Sequence, residues 1–210
     1  MYLFICYVHK RLNKFTAKYM VDFNLTLQTD KILLRPLISE YYMSFEKLTD
    51  DQSMWDYFTS DLSVKEELHD WIDNALNDIK NQTRLAFAII DKTSGKPIGS
   101  TSFGNISSRD KRIEIGWTWI CKEFQGTGTN NQVKYLMIKY VFEVLGYERV
   151  EIKTDVLNTS ARKALRRIGA KEEGILRSHT LMTHGRRRDS IYYSILKSEW
   201  WEVKARNNWV

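Results

Sequence analysis

The sequence predicts an α/β (α+β) chain: a mixed, mostly antiparallel sheet of about six to seven strands flanked by helices. Three observations carry this. Short β-type runs bounded by turn residues recur along most of the chain. Between them lie stretches whose apolar residues repeat at helical spacing. The segments follow the order β-α-α-β-β-β-α-β-α-β-β, with no internal repeat. The 210 residues are 43% hydrophobic and 28% charged, enough to bury a core and keep a solvated surface.

Residues 1 to about 28 show no clear period and read as an N-terminal extension of unknown role, ahead of a domain over 29–210. Lys31 to Pro36 reads as a first strand stopped by proline. Ser39 is placed to cap a short helix through about Leu48. Ser63-Val64-Lys65-Glu66 has the form of a capping box and predicts a stronger helix. Val64, Leu68, Trp71, Ile72, Ala75, Leu76 and Ile79 make its apolar face. Leu85–Asp91 and Pro97–Phe103 read as a hairpin around the turn residues Lys92 to Lys96. A polar loop, Asn105 to Lys111, leads to a long strand over Arg112–Cys121. A glycine-containing loop, Phe124 to Asn130, opens a helix over Asn131–Leu145 that Gly146 closes. Then come a strand over Arg149–Asp155, a helix over Thr159–Ile168 stopped by Gly169, and a last hairpin, Glu172–Thr183 with Ser190–Leu196. Ser198 to Ala205 reads as a terminal helix.

Composition narrows the function. The net charge of +6 suits nucleic acid, a membrane surface or an anionic cofactor. The excess is spread along the chain, and its densest run, Arg186-Arg187-Arg188 after Gly185, reads as a hairpin tip rather than a nucleic-acid patch. Two cysteines, Cys6 and Cys121, make no disulfide framework, and four scattered histidines offer no metal-ligand spacing. Met1 to Val8 is apolar but short, and its basic residues follow it, contrary to the order in a signal peptide. No stretch has the roughly 20 apolar residues of a membrane span. The expectation is a cytoplasmic protein without a metal.

Gln125-Gly126-Thr127-Gly128-Thr129-Asn130 stands between a strand and a helix. The first helical turn offers unpaired N–H groups and the positive end of the dipole, and glycines let an anion approach the backbone. A pyrophosphate fits such a place. The loop lacks the third glycine of a dinucleotide fingerprint and the Gly-Lys-Ser/Thr of a P-loop.

Its neighbours add meaning. The strand before it is Ile113-Glu114-Ile115-Gly116-Trp117-Thr118-Trp119-Ile120; after the loop helix come Asp155-Val156-Leu157-Asn158 and, eleven residues beyond Asn158, Gly169. Together these residues resemble the GNAT superfamily. They are most similar to its branch of ribosomal-protein N-terminal acetyltransferases, through "EIGW", "FQGTG", "KTD…N" and "GRRRD…Y" over about residues 30–200. Three positions depart from the family pattern. Asn130 stands for the usual Gly or Ala. Ala161 stands where Ser is frequent, with Ser160 one earlier. Leu165 occupies the place of a tyrosine that protonates the leaving thiolate in many relatives.

The resemblance implies a GNAT-type fold and direct transfer of acetyl from acetyl-CoA to a primary amine. The acceptor would be a protein N-terminus, ribosomal or other, or a small amine. The pyrophosphate would rest on the amides of Gln125, Gly126, Thr127, Gly128, Thr129 and Asn130. The pantetheine arm would run between splayed strands, and the N–H near Ile120 would hold the oxyanion. Asn158 would bond the pantetheine amide, or serve as a helix cap. Glu114 is the candidate base, directly or through water, its alternative being an outward strand carboxylate paired with Arg112 or Lys153. Ser160 is the candidate proton donor, its alternative a helix-start residue. Arg162, Lys163 and Arg166 are candidates for the 3′-phosphate or a solvated helix face. Trp55, Tyr57, Trp117 and Trp119 are candidates for an acceptor pocket or the core. Cys121 is not favoured as a nucleophile. A sensor that binds acetyl-CoA without turnover and an RNA-associated module are the alternatives of a different class, and a homo-oligomer is left open.

Overall fold

The structure is a computed structural model that describes residues 20–209. Among these, eight strands form one sheet in the order β1-β2-β3-β4-β5-β6-β8-β7. The strands are β1 (Leu27–Gln28), β2 (Ile32–Pro36), β3 (Leu85–Asp91), β4 (Pro97–Ser107), β5 (Arg112–Ile120), β6 (Arg149–Asp155), β7 (Lys171–Leu181) and β8 (Arg187–Leu196). The helices are α1 (Tyr42–Glu46), α2 (Lys65–Lys80), α3 (Thr129–Lys139), α4 (Thr159–Ile168) and α5 (Trp200–Arg206). Every pairing is antiparallel except β5 with β6. A parallel pair needs a crossover, and α3 supplies it. No helix among the described residues is long and apolar enough to cross a membrane.

The sheet divides two apolar layers. β3 is buried along its whole length, with Leu85, Phe87 and Ile89 in one layer and Ala86, Ala88 and Ile90 in the other. Strand alternation makes that division. The first layer holds Val133, Met137 and Val141 of the α3 segment, Leu165 of α4 and Trp200 of α5. The second holds Phe45 of α1, Trp71 and Ile72 of α2, and an aromatic cluster in which Trp119 meets Phe45 at 4.8 Å and Trp55 at 5.7 Å between ring centroids.

Several boundaries differ from the sequence reading. Residues ahead of 29 also pack on the sheet: Val21 is buried in the first layer, Phe23, Leu25 and Leu27 pack against it, and β1 adds a strand to β2. Residues 1–19 of the expected extension lie outside the described residues. The capping box at Ser63 does not form, and α2 starts from Val64 without a side-chain cap. Asp61 competes for the same donors: its Oδ1 accepts from Ser63 N–H (3.1 Å) and the Ser63 hydroxyl (2.5 Å). Glu67 instead accepts from Asp61 N–H at 2.7 Å. Ser39 likewise caps nothing; a 3-10 turn over Ser39–Tyr41 precedes α1. The helix after the glycine loop starts two residues early, at Thr129, and ends in a π-helical turn over Tyr140–Val144.

β7 ends the sheet, exposed along nearly its whole length. Its ladder with β8 slips twice, between Glu172 and Gly174 and between Leu176 and Thr180.

Candidate active site

The parallel pairing of β5 with β6 covers Arg112↔Arg149, Ile113↔Val150 and Glu114↔Glu151, and there it stops. β5 runs on to Ile120 and β6 to Asp155, so a gap opens between two strands in the middle of the sheet. Across that gap β5 has a free backbone edge. On its other side β5 remains tied to β4, Cys121 N–H donating to the Ile98 carbonyl at 2.9 Å. Successive amides of a strand point to opposite sides. Ile120 N–H therefore faces the gap. The Ile120 carbonyl accepts from Gln125 Nε2 at 2.9 Å, which ties the strand end to the glycine loop.

A bulge shapes this edge. The β4–β5 register shifts between Ser100↔Trp119 and Ser102↔Gly116, and Trp117 takes a φ of 50°. A bulky residue there is strained, and such strain gathers at functional sites. The Trp117 ring covers Gly104, where a Cβ would come within 2.5 Å of it. The same ring lies 5.0 Å from the Arg84 guanidinium and 6.0 Å from Lys153 Nζ.

The loop leaves open space at its two glycines. Gly126 and Gly128 have φ of 75° and 90°, and a Cβ at either would meet only open space. Thr127 Oγ1 holds the turn through the Phe124 carbonyl at 2.8 Å and Thr129 Oγ1 at 2.9 Å. The first α3 bond runs from Gln132 N–H to the Gly128 carbonyl, so the amides just before it lie ahead of the helical ladder. Asn158 caps α4, its Oδ1 accepting from Ala161 N–H at 2.9 Å, which leaves its amide nitrogen for another acceptor.

Glu114 is buried rather than outward-facing, while the pairing with Lys153 that belongs to the alternative reading is formed. Its Oε2 accepts from Asn105 Nδ2 at 2.7 Å and Lys153 Nζ at 3.0 Å. Ile113 and Ile115 belong to the α3 layer, so Glu114 points to the α2 face. There it lines a cleft of about 700 Å³ together with Asn105, Arg112, Glu151 and Tyr192. Ile120 is six residues further along β5, about 20 Å of extended strand, and Thr118 about 13 Å. A glutamate side chain cannot span either distance.

The other candidates separate clearly. Ser160 is exposed in the first turn of α4. Arg162 donates to the Val156 carbonyl at 2.8 Å, and Arg166 pairs with Glu172 at 2.7 Å; Lys163 is exposed. Trp55 and Trp119 are core, Tyr57 is exposed, and Trp117 lines a second cleft of about 360 Å³ with Trp71, Asp70 and Glu67. Burial pushes the Cys121 thiol up. The arginine run is used inside the molecule: Arg186 pairs with the buried Asp155, Arg187 bonds Ser178, and Arg188 is buried.

One residue escaped the sequence reading. Lys134, on α3, is buried, and burial lowers its amine to about 7. The available signal was its place in the series Lys134, Met137, Ile138 and Val141, all buried at helical spacing.

This arrangement can be set beside known proteins. The profile of the Acetyltransferase (GNAT) domain matches residues 31–171. The chain belongs to the GNAT acetyltransferase family. YdaF of Bacillus subtilis (strain 168), which carries the name of a ribosomal N-acetyltransferase, is 40% identical over 106 residues, 50% of this chain and 57% of that protein. The chain thus spans little more than half the length of that curated relative. A GCN5-related N-acetyltransferase from Brucella melitensis superposes with a TM-score of 0.78 at 28% identity, over 88% of this chain and 84% of that one. Another solved structure with an acetyltransferase name reaches 0.82 at 29% identity, over 90% and 95%. The mixed, mostly antiparallel sheet expected from sequence is present, with one strand more than the upper expectation.

Proposed function

We propose that this chain moves an acetyl group from acetyl-CoA to a primary amine, by direct attack in a ternary complex. The observation that carries the reading is the free β5 edge beside the glycine loop. The loop amides from Gln125 to Asn130 would hold the pyrophosphate, and the thioester arm would lie along the gap and bond Asn158. Ile120 N–H would donate to the carbonyl oxygen and gain strength as charge develops there; such donors contribute about 2.7–4 kcal/mol where they have been removed elsewhere. The amine would enter from the α2 face, where both clefts carry carboxylates that suit a cation before it loses its proton. Glu114 would receive that proton through water. The acceptor is a protein N-terminus, as the name of YdaF suggests, or a small amine.

Glu114 is held by two donors, which also fits a protein that binds acetyl-CoA without turnover. One experiment separates the readings. Acetyl-CoA is mixed with the protein and a panel of N-terminal peptides, lysine peptides and small amines, and free thiol is read. Acceptor-dependent thiol release is expected. Tight acetyl-CoA binding with no release from any amine would leave the sensor.

A further inference from the structure

Lys134 lies about 7.5 Å along the axis of α3 from Thr129, its first residue. Its side chain turns inward to β5, where Nζ donates to Thr118 Oγ1 at 3.0 Å. Thr118 Oγ1 also meets Thr101 Oγ1 at 2.8 Å, and Thr101 contacts the Met137 sulfur. An ammonium has three N–H donors, so this hydroxyl satisfies one of them.

The charged groups around it lie elsewhere. From β5, Glu114 points to the other face of the sheet, and the Cys121 thiol is itself raised by burial. β4 brings the Thr101 hydroxyl and no ionisable side chain. From β2, Arg35 bonds Tyr41 in the opposite layer. β1 brings none, and on α3 Lys139 is turned to Tyr135. Burial alone therefore sets the Lys134 amine, at about 7 against an ordinary 10.5. A structural lysine has no need of such a place, since a methionine would fill it without a charge to desolvate.

The position has a chemical use. The loop opens α3, so a CoA thioester reaches the gap from the α3 side, while the acceptor cleft opens on the α2 side. The bond to the amine then forms on one face of the sheet, and the bond to sulfur breaks toward the other. Lys134 stands on that second face, its Nζ on the Thr118 hydroxyl of β5, two residues before Ile120.

Resting on the acetyl-transfer reading, we propose that Lys134 is the acid of the reaction: it takes up a proton when the CoA thioester binds and returns it to the departing thiolate. The cofactor's phosphates favour the charged ammonium, which is why binding loads the proton. In the chemical step the amine nitrogen bonds the acetyl carbon, and the C–S pair leaves on sulfur. Lys134 gives its proton to that sulfur, while the proton lost by the amine leaves through water on the Glu114 side. CoA thiol, amide and a neutral Lys134 result, and a proton from water resets it.

The test has a binding arm and a turnover arm. CoA is titrated calorimetrically at neutral pH in two buffers of different ionisation heat. Wild type should take up a fraction of a proton, and Lys134→Met should lose that uptake. In thiol release, Lys134→Met and Lys134→Arg should both lower kcat about 10²-fold with KM for acetyl-CoA within a few-fold, because arginine keeps the charge but does not release the proton. The alkaline fall of the wild-type kcat profile should vanish with them. Lys134→Met should melt no lower than wild type; should it fail to fold, Thr118→Val replaces it and should move the same limb of the profile. Uptake that is absent, or equal in Lys134→Met, overturns the proposal, as does a variant kcat within a few-fold of wild type with the limb intact. Lys134-dependent uptake without thiol release from any amine overturns the acetyl-transfer reading instead and leaves the proton linkage standing.

Discussion

The two faces of β5 hold buried charges in opposite states. On the α2 face, Glu114 is enclosed with Lys153 and Asn105 as partners. On the α3 face, Lys134 is enclosed with a hydroxyl and no carboxylate among the described residues. A paired buried charge is costly to break and changes little with pH; an unpaired one is costly to keep and changes readily. The first fixes the strand beside the cleft of about 700 Å³. The second is poised to exchange a proton near neutrality. Their difference assigns rigidity to one face of the strand and titration to the other.

Four perturbations break or sharpen this contrast. The largest tests the proposed cofactor loop at the end of β5. Acetyl-CoA at about 100 times its Kd should stabilise wild type by about 2.7 kcal/mol, or about 5–10 °C in Tm. Gly128→Val should abolish that shift, since its φ of 90° excludes a branched residue and its side chain would enter the open anion space. A shift of wild-type size in this variant would take the loop out of the site.

Next, Lys153→Met strips Glu114 of its cation. Lys153 is partly exposed, so the cost should be about 3 kcal/mol, the lower end for a broken buried pair. Denaturant unfolding measures it, and a loss below ~1 kcal/mol would mean the pair is not what fixes the strand. Glu114→Gln keeps the shape and most of the bonding. It should slow transfer about 10²-fold at neutral pH, the bottom of the range for a base, because the proton travels through water. The deficit should shrink as pH rises, and sooner for an α-amino acceptor (pKa ~8) than for lysine (~10.4). Normal turnover at neutral pH would leave Glu114 a purely structural carboxylate. The smallest effect belongs to Lys163→Ala. It should raise KM for acetyl-CoA by about 2–5-fold, the scale of an exposed ion pair, and leave dephospho-CoA unaffected. Equal effects on both ligands would place Lys163 away from the 3′-phosphate.

The titrating face also leaves a mark on stability. The Lys134 amine lies near 7 folded and 10.5 in the open chain, so between those values the unfolded state binds more protons. Stability should therefore rise with pH across that window, and rise less in Lys134→Met. Melting curves from pH 7 to about 10 decide it, and parallel slopes in the two proteins would contradict the depressed amine.

Local rules read the backbone well and the side chains poorly. β3 to β6 were legible because short β-type runs bounded by turn residues mark strands without tertiary help. The loop from Gln125 to Asn130 was legible because glycine spacing is itself the backbone geometry. β1 was not, since two residues carry no period. The cap at Ser63 misled because Asp61, two residues earlier, takes its donors. Glu114 could be named, and so could Lys153 as a partner, but not Asn105, which reaches it from another strand. Lys134 was invisible for a simpler reason: a lysine on a helix is by default solvated, and only the packed sheet shows which side of α3 is shut.

The exposed β7 edge governs how the protein behaves in company. An eleven-residue border strand bearing Ile175, Leu176 and Leu181 on its surface invites another chain to add itself. Its two register slips, with Ser178 at a φ of 51°, break the row of free amides into short lengths. Lys171, Glu172, Glu173 and Arg177 set charges along the same border. A stranger's strand would find no straight run on which to align. Straightening these irregularities by design would restore a continuous row of amides on which another strand could add.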